Sequence, residues 1–157
     1  MKVGVSGHQH LPPAALVFVK QGIARTLSQT NHDLLGITSL AAGADQIFAD
    51  IVLAQGGQLH VIIPCLHYEN SFENSADRRE YRALLPRAGS IEALGFPAPS
   101  EEAFCAAGRR VVELSDFLIA VWDGHPSRGK GGTADVVEYA KSLSKRVEVV
   151  WPAGVER

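Results

Sequence analysis

The chain predicts an α/β fold, a single three-layer domain over residues 1–157 built on a mostly parallel sheet. Short apolar runs recur at residues 2–6, 34–40, 59–63, 91–94, 117–122 and 147–151, and helical patterns separate most of them. The runs are apolar almost throughout rather than alternating, as expected of strands covered on both faces. The turns after the first, second and fifth runs are rich in glycine and small polar residues. In open parallel sheets ligands sit beyond the carboxyl ends of the strands, where such turns gather.

Each element has a local reason. Pro12-Pro13 stands where helices start, and Leu16, Val19, Ile23 and Leu27 follow at spacings of three or four, one buried face of a helix over residues 14–28. A second helix, residues 45–55, turns Ile47, Ile51 and Val52 inward and is closed by Gly56-Gly57. Pro64 is expected to stop the third strand. Residues 65–76 show no clear period. Residues 77–87 read as a helix with Tyr81, Leu84 and Leu85 on its stripe. Ser100 can cap a helix over residues 101–114, with Glu101 and Glu102 in the first turn. The last helix spans residues 133–143.

The 157 residues suffice for one domain with a core, and 46% hydrophobic against 20% charged favours folding over disorder. A formal net charge of -2 leaves no general electrostatic footprint for nucleic acid and speaks against that partner. The two cysteines, Cys65 and Cys105, are far apart and read as free thiols in a reducing compartment. No apolar run approaches the roughly 20 residues that cross a bilayer. The expectation is a cytoplasmic protein without a membrane partner, with room for a homodimer.

The stretch after the fifth run, Asp123-Gly124-His125-Pro126-Ser127-Arg128-Gly129-Lys130-Gly131-Gly132-Thr133, leads from strand to helix. Glycine lets backbone approach a ligand closely, and the first amides of a helix lack intrahelical partners. Together with Arg128 and Lys130 they form a candidate seat for an anion. In the first turn, Ser6, Gly7 and His8 are candidates; His8 suits a hydrogen bond to a ligand or to a neighbouring loop. In the second, Gly43, Ala44 and Asp45 open a helix, and Asp45 either caps it or accepts from a ribose. Asp123 either binds a sugar hydroxyl or caps the turn with Gly124. Trp122 shares a strand face with Leu118 and Ala120 and is expected to pack. Arg78 and Arg79 read as a solvated helix start, with an arm over the pocket as the alternative. His8 and His10 alone do not make a metal site, because the remaining histidines are scattered. Neither metal nor cofactor is expected. The glycine stretch lacks the P-loop pattern, and no serine sits in a G-x-S-x-G elbow.

Three segments in this order, Val3-Gly4-Val5-Ser6-Gly7-His8, Ser39-Leu40-Ala41-Ala42-Gly43-Ala44-Asp45, and Val121-Trp122-Asp123-Gly124 with Gly131-Gly132-Thr133-Ala134, resemble the SLOG superfamily. This Rossmann-like group includes the LOG phosphoribohydrolases and the DprA-type proteins. The resemblance implies a Rossmann-like fold and a site for a nucleotide or nucleotide-derived molecule, drawn from Gly7, His8, Gly43, Asp45, Asp123, Gly131, Gly132 and Thr133. The enzymes in or near the group carry a Glu three residues after the Thr of the glycine loop; here that position is Val136. Valine can neither stabilise nor trap an oxocarbenium-like sugar centre. The Pro-Gly-Gly entry is also replaced, by Arg128-Gly129-Lys130.

The expected function is therefore noncatalytic binding or sensing of a nucleotide or nucleotide-derived small molecule. The alternative is hydrolysis of an N-glycosidic bond in a nucleoside monophosphate, with Asp135 or Glu138 as the acid. A third reading, a DprA-like nucleic-acid module, ranks below both on charge.

Overall fold

A computed structural model describes residues 1–30, 33–127 and 132–157. Six strands, β1 (Lys2–Gly7), β2 (Leu35–Thr38), β3 (Gln58–Cys65), β4 (Ser90–Phe96), β5 (Phe117–Val121) and β6 (Arg146–Val149), form one sheet in the order β4-β3-β2-β1-β5-β6. Every neighbouring pair is parallel. Five helices connect them: α1 (Pro13–Ser28), α2 (Ala44–Ala54), α3 (Ser75–Leu84), α4 (Glu101–Leu114) and α5 (Thr133–Ser142). Two short 3-10 turns, Tyr68–Ser71 and Leu85–Arg87, flank α3.

Alternation along the strands makes the three layers. Val3 and Val5 of β1, Leu59 and Val61 of β3, and Ile119 of β5 share one apolar cluster with Val19 and Ile23 of α1, Phe48 and Val52 of α2, and Tyr81 and Leu84 of α3. Ile37, Ile62, Leu118 and Ala120 point the other way, into a cluster with Val111 and Val112 of α4 and Val136, Val137 and Ala140 of α5. Trp122 packs against this second cluster. The helices after β1 and β5 thus lie on opposite faces of adjacent strands, which leaves a gap at the carboxyl end of that pair.

Two glycines let the layers close. A Cβ at Gly4 would collide with Ser115 Oγ and lie 2.8 Å from Val111, so β1 can approach α4 only as glycine. A Cβ at Gly36 would lie 2.8 Å from Val52 and 3.0 Å from the Phe48 ring. That room holds Phe48, which is fully buried.

Local signals set the helix ends. Asn74 Oδ1 accepts from Asp77 N at 2.8 Å to cap α3, and Ser100 Oγ accepts from Ala103 N at 3.0 Å to cap α4. Gly56, at φ 81°, ends α2, and the amides of Gly56 and Gly57 donate back to Leu53 and Val52 carbonyls.

Three sequence expectations change. Pro64 does not stop β3 but lies inside it, where the register with β4 shifts between Ile63 and Cys65; at such a bulge a missing N–H costs the ladder little. The inner face of α2 is Ala44, Phe48, Ala49 and Val52, while Ile47 and Ile51 are half-buried. The helix expected over 77–87 starts two residues earlier and tightens to a 3-10 turn at Pro86. No helix among the described residues is long and apolar enough to cross a membrane.

Phe48→Ala should lower the unfolding free energy by about 3–5 kcal/mol, because the cavity is bounded by sheet backbone that cannot collapse into it. Urea denaturation followed by circular dichroism measures this.

Candidate functional site

The turns after β1, β2 and β5 meet at the carboxyl edge of the sheet. His8 N donates to Val121 O at 3.1 Å, joining the first turn to the end of β5. Ala44 N donates to His8 O at 3.2 Å, joining it to the start of α2. The contact at Gly43 is tighter still: at φ 78° and ψ -120°, a Cβ there would lie 2.6 Å from His8 O and closer to Gln9 O. A Cβ at Gly7 would run into Ala44 and Val121. The three turns are therefore interlocked.

Above them opens a cleft of about 1000 Å³, lined from the first turn by Ser6, Gly7, His8 and His10, from the second by Ser39, Ala41, Ala42 and Asp45, and at the start of α5 by Gly132 and Thr133. Tyr68, Phe72, Glu73 and Phe104 also line it, as do Gly108, Val111 and Val136. This volume suits a small-molecule site. Gly132, at the N-cap of α5, and Thr133 put the start of that helix, with its partial positive charge, at the cleft, while Ser127 Oγ accepts from the first-turn amide of Asp135 at 3.4 Å.

Asp45 shapes the second turn. Its Oδ2 accepts from Thr38 Oγ1 at 2.9 Å and from Ser39 N at 3.1 Å. Thr38 Oγ1 in turn accepts from Leu40 N at 3.0 Å, and Gln46 Nε2 donates to Leu40 O at 3.2 Å. This network holds buried Leu40 at φ 56°, a left-handed conformation that a branched side chain seldom adopts. Burial pushes the Asp45 carboxyl up to about 6, against the opposing pull of the Thr38, Ser39 and Ala41 donors. Thr38 and Gln46 escaped the sequence reading, because a buried Thr at a strand end has no signature until its acceptor is known.

His8 and Asp123 form a second network. His8 Nε2 lies 3.1 Å from Asp123 N and 3.2 Å from Asp123 Oδ1, and the His8 ring stands edge-on to Trp151 at 5.3 Å between centroids. Arg157 reaches both: its Nε lies 3.2 Å from Asp123 Oδ2 and its Nη1 3.2 Å from His8 Nδ1. Burial raises the Asp123 carboxyl, but the His125 amide, His8 and Arg157 outweigh it and hold the group below the usual carboxylate value. Arg157 also lines the cleft, a residue that no sequence motif had marked.

Of the residues singled out from the sequence, Ser6, Gly7, His8, Asp45, Gly132 and Thr133 line the cleft. Gly43 and Ala44 lie behind it in the interlock, Asp123 sits in the His8–Arg157 network, and Gly124 turns the chain at φ 87°. Arg128, Gly129, Lys130 and Gly131 lie outside the described residues. Asp135 and Glu138 do not reach the cleft; they line a separate groove between α4 and α5 with Glu102, Cys105 and Arg109. Arg78 and Arg79 do not line the cleft either. Val136, three residues after Thr133, does line it. Among the described residues, no group of three or more His, Cys, Asp or Glu side chains is arranged to hold a metal ion.

No protein-family model and no curated protein matches the sequence. Solved structures do. DNA processing protein A from Helicobacter pylori, studied for its single-stranded DNA binding mode, matches 95% of this chain with a TM-score of 0.69 at 21% identity. DNA processing protein A from Streptococcus pneumoniae matches 99% with a TM-score of 0.70 at 19% identity. The protein TM1055 matches 93% with a TM-score of 0.60 at 18% identity. The matches cover 64% and 52% of the two DNA processing proteins and 71% of TM1055. One expectation is overturned here. The charge balance was read against a nucleic-acid partner, yet the Helicobacter protein with this fold binds single-stranded DNA. A net charge summed over a whole chain does not measure the potential at one strand-end cleft.

Two changes probe the site's construction. Gly43→Ala should cost about 2–4 kcal/mol, from a backbone region essentially closed to other residues plus the carbonyl clash. Gly124→Ala meets open space and should cost only about 1 kcal/mol of backbone strain. Thermal melts of both variants check the ordering. The Asp45 carboxyl binds protons more readily in the folded chain than at its unfolded value of 3.8, so between 3.8 and about 6 its contribution to stability falls as pH rises. Going from pH 7 to pH 5 should therefore stabilise the wild type by about 1 kcal/mol more than Asp45→Asn, read from paired denaturation curves. The sheet order and the matched structures together give this chain a Rossmann-like fold, the fold shared by DNA processing protein A and TM1055.

Proposed function

We propose that this domain binds a nucleotide or nucleotide-derived small molecule in the strand-end cleft and holds it without turnover. The observation that carries the reading is the convergence of three turns, distant in sequence, on one cleft of about 1000 Å³ beside the amide end of α5. Helix amides and a glycine at the N-cap favour a phosphate there. Tyr68, Phe72 and Phe104 give the same cleft an apolar side suited to a base.

The placement of the acids supports binding without turnover. The position three after Thr133 faces the cleft as Val136, which can donate no proton. Asp135 and Glu138 are exposed in the other groove. Asp45 spends its Oδ2 on the turn, and Glu73 Oε2 lies 3.3 Å from His10 Nε2 at the exposed lip.

A second reading is favoured by the Helicobacter likeness: the cleft takes one nucleotide unit of single-stranded DNA. One set of measurements separates the readings. AMP, dAMP, NAD and ADP-ribose are tested by thermal shift and for release of free base, and a fluorescent dT oligonucleotide by anisotropy. The expected result is a shift with a mononucleotide and no free base; a ligand at a hundredfold its Kd stabilises by about 3 kcal/mol. Oligonucleotide binding without any mononucleotide shift would select the second reading. Base release abolished in Asp45→Asn would make the domain a hydrolase. Silence in every assay rejects nucleotide binding outright.

A further inference from the structure

We propose that Arg157 is the residue that recognises the phosphate of the ligand, with Asp123 and His8 as its positioning residues, so that the cleft selects phosphorylated over unphosphorylated nucleosides. This rests on the nucleotide reading above and adds to it a specificity determinant outside the three turns.

The path that brings Arg157 to the cleft is built, not loose. After β6, Val150 N donates to Ala120 O at 2.8 Å and the Val150 side chain is buried. It sits over Gly22 of α1, where a Cβ would lie 2.6 Å from Val150 Cγ1, so the segment crosses α1 at the only distance a glycine permits. Trp151 then packs edge-on to His8, and its Nε1 donates to Val155 O at 2.8 Å, closing the turn.

At the end of that path the guanidinium is held by Asp123 and His8. Asp123 takes Nε and His8 takes Nη1, and these two side chains are 4% and 5% exposed while that of Arg157 is 23% exposed. A guanidinium has five N–H donors in a rigid fork, more than these partners use. The always-protonated guanidinium turns its Nη1 toward His8 Nδ1, while the backbone N–H of Asp123 points at the other ring nitrogen, Nε2, at 3.1 Å. The two partners thus hold the fork in place at the lining of the cleft.

The rest of the lining leaves the role to Arg157. Among the described lining residues it is the one permanent cation. Asp45 and Glu73 are acids engaged with the second turn and with His10. Gly132 and Thr133, with the amide end of α5, line the same cleft. A phosphate there would meet a charge-assisted fork as well as helix amides.

The test compares AMP, adenosine and pyrophosphate by calorimetry on the wild type, Arg157→Met, Arg157→Lys and Asp123→Asn. A 5′-phosphorylated dT oligonucleotide and the same oligonucleotide without that phosphate separate a terminal phosphate from a backbone phosphodiester. Arg157→Met should weaken AMP and pyrophosphate about tenfold to a hundredfold and adenosine less than about twofold. Arg157→Lys should recover part of the loss, and Asp123→Asn should reduce the AMP-over-adenosine preference in the same direction. Equal weakening of AMP and adenosine would reduce Arg157 to a structural role. Unchanged AMP binding in Arg157→Met would overturn the inference and leave nucleotide binding standing. A wild type that binds none of the probes overturns both.

Discussion

The fold's working end depends on how closely the first turn is wedged between its neighbours. The backbone of His8 gives its N–H to the end of β5 and its carbonyl to the start of α2. Gly43 is what allows the second of these, since any side chain there would enter the carbonyls of residues 8 and 9. The wedge uses backbone polar groups that would otherwise need water, so the turns satisfy each other and the cleft begins directly above them. Strand polarity decides which turns can take part: with every strand parallel, the turns at the carboxyl ends of β1, β2 and β5 lie at one edge, and the first and the last of them, joined by His8 and Asp123, come from positions 115 residues apart.

Because the turns are closed by backbone, their side chains are left to adjust what the cleft presents. Asp45 and Asp123, both acids at strand or helix ends, receive opposite treatment. Asp45 is buried away from any cation and is pushed up to about 6. Asp123 lies against Arg157 and His8 and is pulled below its usual value. At neutral pH both are mainly ionised, but only Asp123 has its charge balanced by a neighbour. Asp45 is the costly one, and the cost purchases the shape of the 38–45 turn, including the left-handed Leu40.

Periodicity made the layers legible. Runs of apolar residues of strand length, separated by patterned helices, are enough to place six strands, and parallel pairing follows from the intervening helices. Rotation of a helix about its axis was less legible. In α2 nearly every residue from 47 to 53 is apolar or small, so the stripe is ambiguous until Gly36 in the facing strand creates the room that Phe48 occupies. Pro64 was misread because the rule that proline ends a strand presumes a regular ladder, and β3 bulges at that point.

The site was legible where chemistry sits in the turn itself and opaque where it depends on chain that returns from elsewhere. Gly7, His8, Asp45, Gly132 and Thr133 carry local signals, glycine or a polar residue between strand and helix. Arg157 carries none: an arginine after Gly154-Val155-Glu156 reads as solvent-facing surface. Its meaning comes from Val150 over Gly22 and Trp151 against His8, contacts that join residues far apart in the chain. The same limit explains the nucleic-acid expectation. A formal charge of -2 sums acids on every face of the molecule, including Asp135 and Glu138 in the α4–α5 groove, which the strand-end cleft does not contain. The donors that the sheet edge gathers in one place come from distant parts of the chain, and only the three-dimensional arrangement tells which those are.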